Sequence, residues 1–435
     1  IHNSEQSSFD RRRVQGIAAA EAGIDYYFSH LQSESSAAGF RCGISQTLTG
    51  VPATRFVASA TYYDAAGAEM TCPAGGTLQV SGSAAPSTAL IRSEGSTVLN
   101  ETPTRTMEAY VRLVVHPGSP FGDSVIFSNS SINWGANVTI QGADAANTNV
   151  YSNGNISLSS STIVYGSLYA QGTINLRGNA QVRRDAWSNG ALEMRNASAV
   201  LGSATSSTSS ITLRNSARIY NDATARTSIS AGRSAIGGTR TIAPSDPPPS
   251  QSLPTYTFDP APWMADGYTV QTFTGTDACT TAKAFARNIT AGSYVIRIAA
   301  DCTLSWNRDA PSLKGNLAFV TDGAIAMGNQ TKWGPTSGQT WGLFMFAGVD
   351  GDGQPCNITW GPGSGINAGL STFLYTPCTI SLSSNVYLNE GQIFAGTVTM
   401  GANSGIKYKK IGIPGFGTGG FDEDVLYVRE VVTEP

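Results

Sequence analysis

The sequence predicts a mainly β protein organised around a parallel β-solenoid, and two repeating patterns support this prediction. The phrase VYSNGNISL at 150–158 returns as LYAQGTINL at 168–176 and as AWSNGALEM at 186–194. Its inward apolar pairs lie at 156/158, 174/176, 192/194 and 211/213, and a second apolar column at 164, 182, 200 and 219 keeps the same spacing. A fixed period near 20 residues is typical of stacked coils, because one coil cannot bury its own apolar side.

Each repeat predicts a coil with three short faces, since the apolar columns lie at steps of six residues. Residues two apart on a strand point the same way, so 156 and 158 face inward and 157 faces outward. We expect Gly154, Gly172 and Gly190 at a corner that requires positive φ. We expect a right-handed solenoid with about 18–22 residues per coil. Small residues fill the tight inward positions: Thr162, Ala170, Ala180 and Ser188.

The composition argues against a cytosolic helical enzyme. Charged residues make up only 13% of the 435 residues, and Gly is unusually frequent at 48, as in extracellular β proteins. The net charge of −3 indicates no particular partner. No run of 18 apolar residues is present, which excludes a membrane-spanning helix in the chain as given.

The six cysteines predict three disulfides in an oxidising compartment. No CxxC pair occurs and the three histidines are far apart, so a Cys/His metal site is not expected. Of the 15 pairings that six cysteines permit, we favour nearest neighbours: Cys42–Cys72, Cys279–Cys302 and Cys356–Cys378. The alternative is a mixture of free buried thiols.

Residues 5–34 form the one long predicted helix, with an apolar face at i, i+3, i+4 spacing. Its segment AAAEAGIDY at 18–26, preceded by three arginines at 11–13, resembles the helix of PilX-type minor pilins of type IV pili. In that family the pattern follows an apolar half-helix that inserts into the membrane before assembly and into the pilus core afterwards. The resemblance implies other pilins as partners through this helix, and membrane contact only through an apolar segment that the given chain lacks.

The next segments predict a small antiparallel sheet, with alternating strands at 55–63, 78–82 and 105–115. A long helix followed by such a sheet is the plan that the resemblance implies for residues 1–118. The predicted organisation is therefore a pilin-like module at 1–118, a first solenoid part at 119–234, and a Pro-rich segment at 235–268. A second solenoid part at 269–412 and a C-terminal strand segment at 413–435 follow.

The Pro-rich segment carries seven prolines between 244 and 262, which argues against regular strands or helices there. Such a segment is either a linker or a strap over a surface. The repeat phrase resumes at 318–327, 356–360, 374–382 and 393–400. One interrupted solenoid of roughly eight to ten coils is the simplest interpretation, and two separate solenoids are the alternative.

The sequence offers little for catalysis, so we expect no enzyme activity and no cofactor. Between 124 and 221 the only carboxylates are Asp144, Asp185 and Glu193, and Lys is absent, whereas glycan cleavage needs paired acids or an acid with a base. Asp350 and Asp352 match a fragment of a calcium loop that lacks its later ligands, and a plain turn is the favoured interpretation. No other metal site is expected.

Two outward rows are candidates for ligand binding. Tyr151, Tyr169 and Trp187, with Phe127, Tyr375 and Phe394 at equivalent positions, form either a platform for sugars or a row covered by another element, which we favour. Arg177, Arg195 and Arg214 form a stripe without intervening acids, suited to acidic glycans, wall polymers or DNA phosphates. The alternatives for the arginines are a solvated face or ion pairs.

These observations predict a non-enzymatic, extracellular minor pilin at the cell surface that contributes to pilus assembly or to the pilus tip. Its solenoid would be displayed for adhesion or surface contact, with surface glycans or other polyanions as partners. One alternative is a secreted β-helical protein that binds or degrades polysaccharides. Another is a self-polymerising β-helical scaffold similar to bactofilins.

Overall fold

The computed structural model is mainly β, and it forms two compact units. The first unit comprises residues 1–120 and 412–435, and the second comprises residues 121–411. Among the described residues, no helix has both the length and the apolar character needed to cross a membrane. The structure describes residues 2–33, 40–49, 53–64, 66–73, 76–78, 86–98, 100–116, 124–142, 148–232, 235–249, 251–336, 338–349, 356–414 and 420–431.

The first unit begins with the predicted long helix, α1 (His2–Ser33), which is followed by a mixture of short and long strands. These strands are β1 (Phe40–Arg41), β2 (Gly43–Leu48), β3 (Thr54–Tyr63), β4 (Glu69–Met70), β5 (Thr77–Leu78), β6 (Thr88–Thr97) and β7 (Asn100–His116). Strands β2, β3, β6 and β7 pair antiparallel in that order, β4 pairs with β3, and β1 pairs with β5. The predicted helix and antiparallel sheet are both present.

The core of this unit lies between α1 and the sheet. Ala20, Ile24, Tyr27 and Leu31 fall on one helix face at i, i+3, i+4 spacing and are buried against apolar residues of β3, β6 and β7. Gly95 allows the close approach of helix and strand, because a Cβ there would lie 2.1 Å from the Gly16 carbonyl oxygen. The predicted disulfide Cys42–Cys72 is confirmed in this unit.

The second unit is the solenoid, and its first half consists of short strands, all parallel to their partners. They are β8 (Ser124–Ser128), β9 (Ile132–Trp134), β10 (Thr139–Gly142), β11 (Asn149–Ser152), β12 (Ile156–Leu158), β13 (Ile163–Val164), β14 (Leu168–Ala170), β15 (Ile174–Leu176), β16 (Gln181–Val182), β17 (Ala186–Ser188), β18 (Leu192–Arg195), β19 (Ala199–Val200), β20 (Ala204–Ser206), β21 (Ile211–Arg214), β22 (Arg218–Ile219), β23 (Ala223–Ala225), β24 (Ile229–Ser230) and β25 (Arg240–Ile242).

The second half contains longer strands and two helices. These elements are α2 (Pro260–Ala265), β26 (Tyr268–Thr274), α3 (Ala278–Arg287), β27 (Ser293–Ala299), β28 (Thr303–Trp306), β29 (Ser312–Leu313), β30 (Leu317–Thr321), β31 (Ala324–Met327), β32 (Lys332–Pro335), β33 (Trp341–Ala347), β34 (Ile358–Trp360), β35 (Gly365–Ile366), β36 (Leu370–Leu382), β37 (Tyr387–Met400) and β38 (Gly405–Tyr408). The predicted disulfides Cys279–Cys302 and Cys356–Cys378 are both confirmed here.

The predicted inward columns are confirmed by the strand register. Ile156 pairs with Ile174 and Leu158 with Leu176, and all four side chains are fully buried. The small residues at 162, 170, 180 and 188 are buried as well. Two coils of the second half are longer than predicted: Leu317 pairs with Leu343 and Leu343 with Thr372, which are steps of 26 and 29 residues.

The two halves form one solenoid of about 12 turns rather than the predicted eight to ten. Their order in the stack differs from their order in the chain. Strand β8, in the first coil, pairs with β11 on one side and with β37, near the end of the second half, on the other. The coils of the first half therefore stack away from β8 in one direction, and those of the second half stack in the opposite direction.

The expectation for Gly154, Gly172 and Gly190 was wrong about the reason for glycine. None of the three has positive φ. A Cβ on Gly154 would instead lie 1.6 Å from the carbonyl oxygen of Ser130 in the adjacent coil. Glycine is required at this corner because neighbouring coils are in close contact. The left-handed conformation occurs at another corner, at residues such as Asn196 and Asn215.

The Pro-rich segment is more ordered than predicted. Strand β25 and helix α2 lie within 235–268, and the described residues of the connecting segment 243–259, called the strap from here on, are irregular. Helix α2 tolerates Pro260 and Pro262 because they occupy its first turn, where backbone N–H groups have no partner within the helix. Asp259 caps this helix by accepting a hydrogen bond from the Ala261 N–H at 2.9 Å.

Helix α3 covers the core at the end of the second half, another feature that the sequence analysis missed. Its buried face consists of Ala278, Ala282 and Ala286, and the helix contacts β26, β27 and β28. The described strand registers pair β28 with β31, and α3 contacts β28, so α3 lies where a further coil would pair with β28. The disulfide from Cys279 ties the helix to the coil that it covers.

The last strand, β39 (Gly420–Val431), belongs to the first unit and not to a separate C-terminal segment. It pairs antiparallel with β7, from Gly420 opposite His116 to Val431 opposite Thr106. A register shift between Val425 and Tyr427 lies within the pairing. The solenoid is therefore an insertion between two adjacent strands of the helix-and-sheet unit.

Candidate functional surface of the solenoid

The predicted aromatic row is a continuous ladder on one outward face of the solenoid. Parallel pairing places Tyr151 opposite Tyr169 and Tyr169 opposite Trp187, with ring centroids 6.3 and 6.4 Å apart. Phe127 is next to Tyr151 on one side at 5.6 Å and to Phe394 on the other at 6.4 Å. In-register stacking brings these rings together because each coil repeats the same position about 5 Å further along the axis.

The strap lies along this ladder and is held mainly by its main-chain carbonyl groups. Trp187 Nε1 and Ser207 Oγ donate to the Asp246 carbonyl at 3.1 and 2.6 Å. Further along, Gln171 Nε2 donates to the Pro248 carbonyl at 2.5 Å, and the Tyr151 hydroxyl donates to the Pro249 carbonyl. Successive coils of the first half thus bind successive residues of the strap.

The same arrangement continues from the start of the first half into the second half. Asn153 Nδ2 donates to the Gln251 carbonyl at 2.7 Å, and the Tyr375 hydroxyl donates to the Pro254 carbonyl at 2.6 Å. Beyond this point the strap packs its own ring on the solenoid, because Tyr256 stacks on Phe346 with centroids 4.2 Å apart.

A charged anchor holds the far end of the strap. Arg297 is 7% exposed and forms an ion pair with Asp322 at 2.6 Å. Its guanidinium also lies over the ring of Phe258 in the strap, 5.8 Å from the centroid. Aromatic, cationic and hydrogen-bonding contacts together attach this end.

The strap covers the aromatic row unevenly. Tyr151 is 2% exposed, and burial raises its pKa, so the phenol keeps the proton that it donates to the strap. Tyr169 and Trp187 are half-buried. The solenoid thus presents this row to a segment of its own chain.

Sequence analysis missed the polar residues that hold the strap. Asn153, Gln171 and Ser207 each lie just beyond the aromatic column on their coil, where the repeat contains small polar residues of several kinds. The sequence did show that Asn and Gln side chains can donate hydrogen bonds and that a Pro-rich segment offers carbonyl acceptors. Only the register shows that these donors face the strap.

The three arginines of the predicted stripe occupy equivalent corners of consecutive coils. Arg195 pairs in register with Arg214, and Arg177 and Arg214 are exposed. The stripe is not free of acids, which corrects the expectation: Arg195 Nη2 is 2.9 Å from Glu193 Oε2 on the same strand. Within the described residues Arg177 and Arg214 have no carboxylate within 4 Å. Among the described residues, the stripe therefore combines two guanidinium groups without a carboxylate partner and one neutralised group.

The described carboxylates of the first half have structural partners. Asp185 Oδ1 accepts from the Ser203 N–H at 2.7 Å, and Asp222 Oδ1 accepts from the Thr239 N–H at 2.8 Å. The hydroxyl of Thr239, and then its N–H, lower the pKa of Asp222 below its ordinary value. These acids link neighbouring coils.

The structure does not describe the residues that the sequence offered as a calcium site. Asp350 and Asp352, the calcium candidates, and Asp144 lie outside the described residues. Within those residues, no group of three His, Cys, Asp or Glu side chains is arranged to hold a metal ion.

Comparisons with known proteins find a likeness among solved structures. No family model matches the sequence, and no curated protein matches it. Among solved structures, the chain is similar to the competence-associated pilin ComZ from Thermus thermophilus, with 12% identity and a TM-score of 0.32. The match covers 97% of this chain and 98% of that one. A likeness at this TM-score does not establish a shared fold.

Proposed function

We propose that this protein is a non-enzymatic, pilin-like subunit of type IV pili at the cell surface, which displays its solenoid for adhesion or surface contact. The observation that carries the proposal is the insertion of the whole solenoid between β7 and β39. The helix and sheet form a unit with its own core, to which the solenoid is an added module. In this role the helix contacts other pilins.

Helix α1 has surface available for such contacts. Val14 in this helix is 65% exposed, so an apolar side chain is available there for contact. Of the α1 side chains that the structure describes, residues 10–15 are half-buried or exposed, whereas Ile17 and Ala20 belong to the face that packs on the sheet. Three disulfides and a low content of charged residues favour an extracellular location.

Several of the described acids favour a role without catalysis, although burial raises the pKa of Asp266. A general acid in glycan cleavage needs a raised pKa and a second carboxylate nearby. Glu390 shows the opposite: burial alone would raise its pKa, but Lys409, Ser371 and Lys407 outweigh burial and lower it. Asp185, Glu193 and Asp222 are engaged within the stack.

The test is whether the protein travels with filaments. All six cysteines are in disulfides, so a Ser230→Cys variant, at an exposed position, supplies a single labelling site. Filaments sheared from the native host are immunoblotted and labelled with maleimide-gold, with the unsubstituted protein as control. Gold on filaments or at their ends supports the proposal. Protein found only in the medium or cell wall, with none on filaments, overturns it.

Polyanion binding by the arginine stripe is a second candidate function, and charge favours it. Residues 124–242 contain nine arginines and no lysine against four carboxylates, a net charge of +5 in a chain whose total is −3. Besides Arg177 and Arg214, Arg218 is exposed on the adjoining strand. This charge would also suit the alternative of a secreted β-helical protein that binds acidic polysaccharides.

Binding to dextran sulfate and to duplex DNA, measured across salt concentrations, tests this second function. We expect affinity to fall steeply with salt, and the Arg177→Gln/Arg214→Gln/Arg218→Gln variant to bind at least about tenfold more weakly. Arg55→Gln, at an exposed site in the first unit, is the matched control. Equal affinities of the triple variant and the control would exclude the stripe as the binding surface.

The scaffold alternative has less support. End-to-end polymerisation needs two open solenoid ends, whereas α3 covers the core at one of them.

A further inference from the structure

The strap is bound in the manner of a peptide ligand. Five solenoid side chains donate hydrogen bonds to four strap carbonyls, those of Asp246, Pro248, Pro249 and Gln251, and a sixth donates to Pro254. The order of the acceptors along the strap follows the order of the coils that supply the donors. Among residues 244–249 only Pro248 is buried, so the solenoid contacts the main chain more than the side chains.

Proline suits this type of binding. It has no N–H group and fixes φ, so a Pro-rich segment is extended before it binds and presents carbonyl acceptors without competing donors. Known Pro-rich ligands bind grooves lined by aromatic residues, where the extended conformation reduces the entropy lost on binding. Here the floor is the ladder of Tyr151, Tyr169 and Trp187, and the donors flank it.

We propose that the aromatic ladder and its flanking donors form a recognition groove for a proline-rich extended peptide, and that the strap is a separable ligand bound there from its own chain. The stack does not depend on the strap for continuity, because β8 and β9 pair directly with β37. The groove therefore persists when the strap is displaced. This inference is independent of the proposed pilus role.

The test uses the full chain with residues 244–255 replaced by a Gly/Ser segment of equal length, which leaves the groove empty. A fluorescent peptide of residues 243–257 is titrated into this variant and into the wild type. We expect binding to the variant and at least about tenfold weaker binding to the wild type, whose tethered strap competes at high effective concentration. A peptide with Ala at 247, 248 and 249 should bind at least about tenfold more weakly than the native peptide.

Tyr151→Phe in the strap-replaced chain should weaken peptide binding roughly threefold to tenfold, because the ring remains and one hydrogen bond is lost. Tyr220→Phe, at a 54% exposed site, is the matched control and should have no effect. A folded strap-replaced chain that fails to bind the peptide, or that binds the Ala peptide equally well, overturns the proposal.

A second measurement covers the case in which the strap-replaced chain does not fold. A protease site is inserted between Gln251 and Ser252, both exposed, in the otherwise native chain. Cleavage then reports how often the strap leaves the groove. Tyr151→Phe should speed cleavage roughly threefold to tenfold and Tyr220→Phe should not. Equal cleavage rates in the two variants would show that the strap is a fixed part of the fold.

Discussion

Phe394 stacks on Phe127 with ring centroids 6.4 Å apart and ring planes at 26°, although 267 residues separate them in the chain. Their strands pair in parallel, with Phe394 directly opposite Phe127. The contact joins the end of the second half of the solenoid to the start of the first. It makes the aromatic ladder and the backbone ladder continuous across the boundary between the halves.

Shortening the Phe127 side chain at this boundary should destabilise the solenoid strongly. Phe127 is fully buried, so Phe127→Ala removes a large apolar side chain and leaves a cavity between the halves. We expect the free energy of unfolding to fall by about 3–5 kcal/mol, measured by urea denaturation. Phe127→Leu keeps most of the volume and should lose less than about 1.5 kcal/mol. Equal losses for the two variants would contradict a packed boundary.

Coil contact at Gly154 should be intolerant of a single methyl group. In Gly154→Ala the Cβ would meet the Ser130 carbonyl oxygen at 1.6 Å, so adjacent coils must move apart. We expect a loss of at least about 2 kcal/mol in the free energy of unfolding. Gly232→Ala is the matched control, because a Cβ there meets nothing within 4 Å, and it should change stability little. A loss at 232 as large as at 154 would refute the steric explanation.

Loss of the disulfide at the α3 cap should loosen one end of the solenoid. Cys279 and Cys302 are 23 residues apart, and closure of a loop of this length contributes about 3 kcal/mol. We expect the Cys279→Ser/Cys302→Ser variant to lose about this amount and to exchange the amide hydrogens of α3 faster. The Cys42→Ser/Cys72→Ser variant changes the other unit and should leave exchange in α3 unaltered. Unchanged α3 exchange in the first variant would show that the cap does not need its disulfide.

The same cap should respond to acid. Burial on its own raises the pKa of Asp309, but the hydrogen bond and charge of Lys283, with the charge of Arg287, outweigh burial and lower the pKa. A lowered pKa in the folded state means that the carboxylate stabilises the fold above the unfolded pKa, near 4, and that this contribution is lost as pH falls through the folded value.

The wild type should therefore exceed Asp309→Asn in melting temperature near neutral pH, and the difference should shrink between about pH 5 and pH 2. Lys283→Gln should reduce the same difference at neutral pH, since it removes the partner. A difference that stays constant down to pH 2 would assign the effect of Asp309→Asn to packing.

The exposed side of α1 gives a prediction for the proposed pilus role. Val14→Asp places a charge on a 65% exposed side chain, so the isolated protein should keep its melting temperature. Incorporation into sheared filaments should fall at least about tenfold if this face packs against neighbouring apolar helices. Ser29→Asp, also exposed on α1, is the matched control and should leave incorporation unchanged. Normal incorporation of Val14→Asp would remove this face from the interface.

Much of the solenoid was readable from sequence because its contacts repeat at nearly constant spacing. The pairing of Ile156 with Ile174 is implied by their separation of 18, and burial at one coil predicts burial at the next. The disulfides were predictable for a related reason, since each pairs cysteines that are nearest neighbours in the sequence, such as Cys279 and Cys302 with a separation of 23. The spacing of the repeat therefore determines which residues of neighbouring coils pair.

The order of the coils was decided only by the tertiary structure. Phe127, Tyr151 and Phe394 carry the same repeat position, and nothing in that position distinguishes which copies become neighbours. The insertion between β7 and β39 was hidden for the same reason, because strand pairing over about 300 residues leaves no spacing signal. Likewise, the prolines of the strap were visible in the sequence, but the donors that hold its carbonyls come from different coils and face it only once the coils stack.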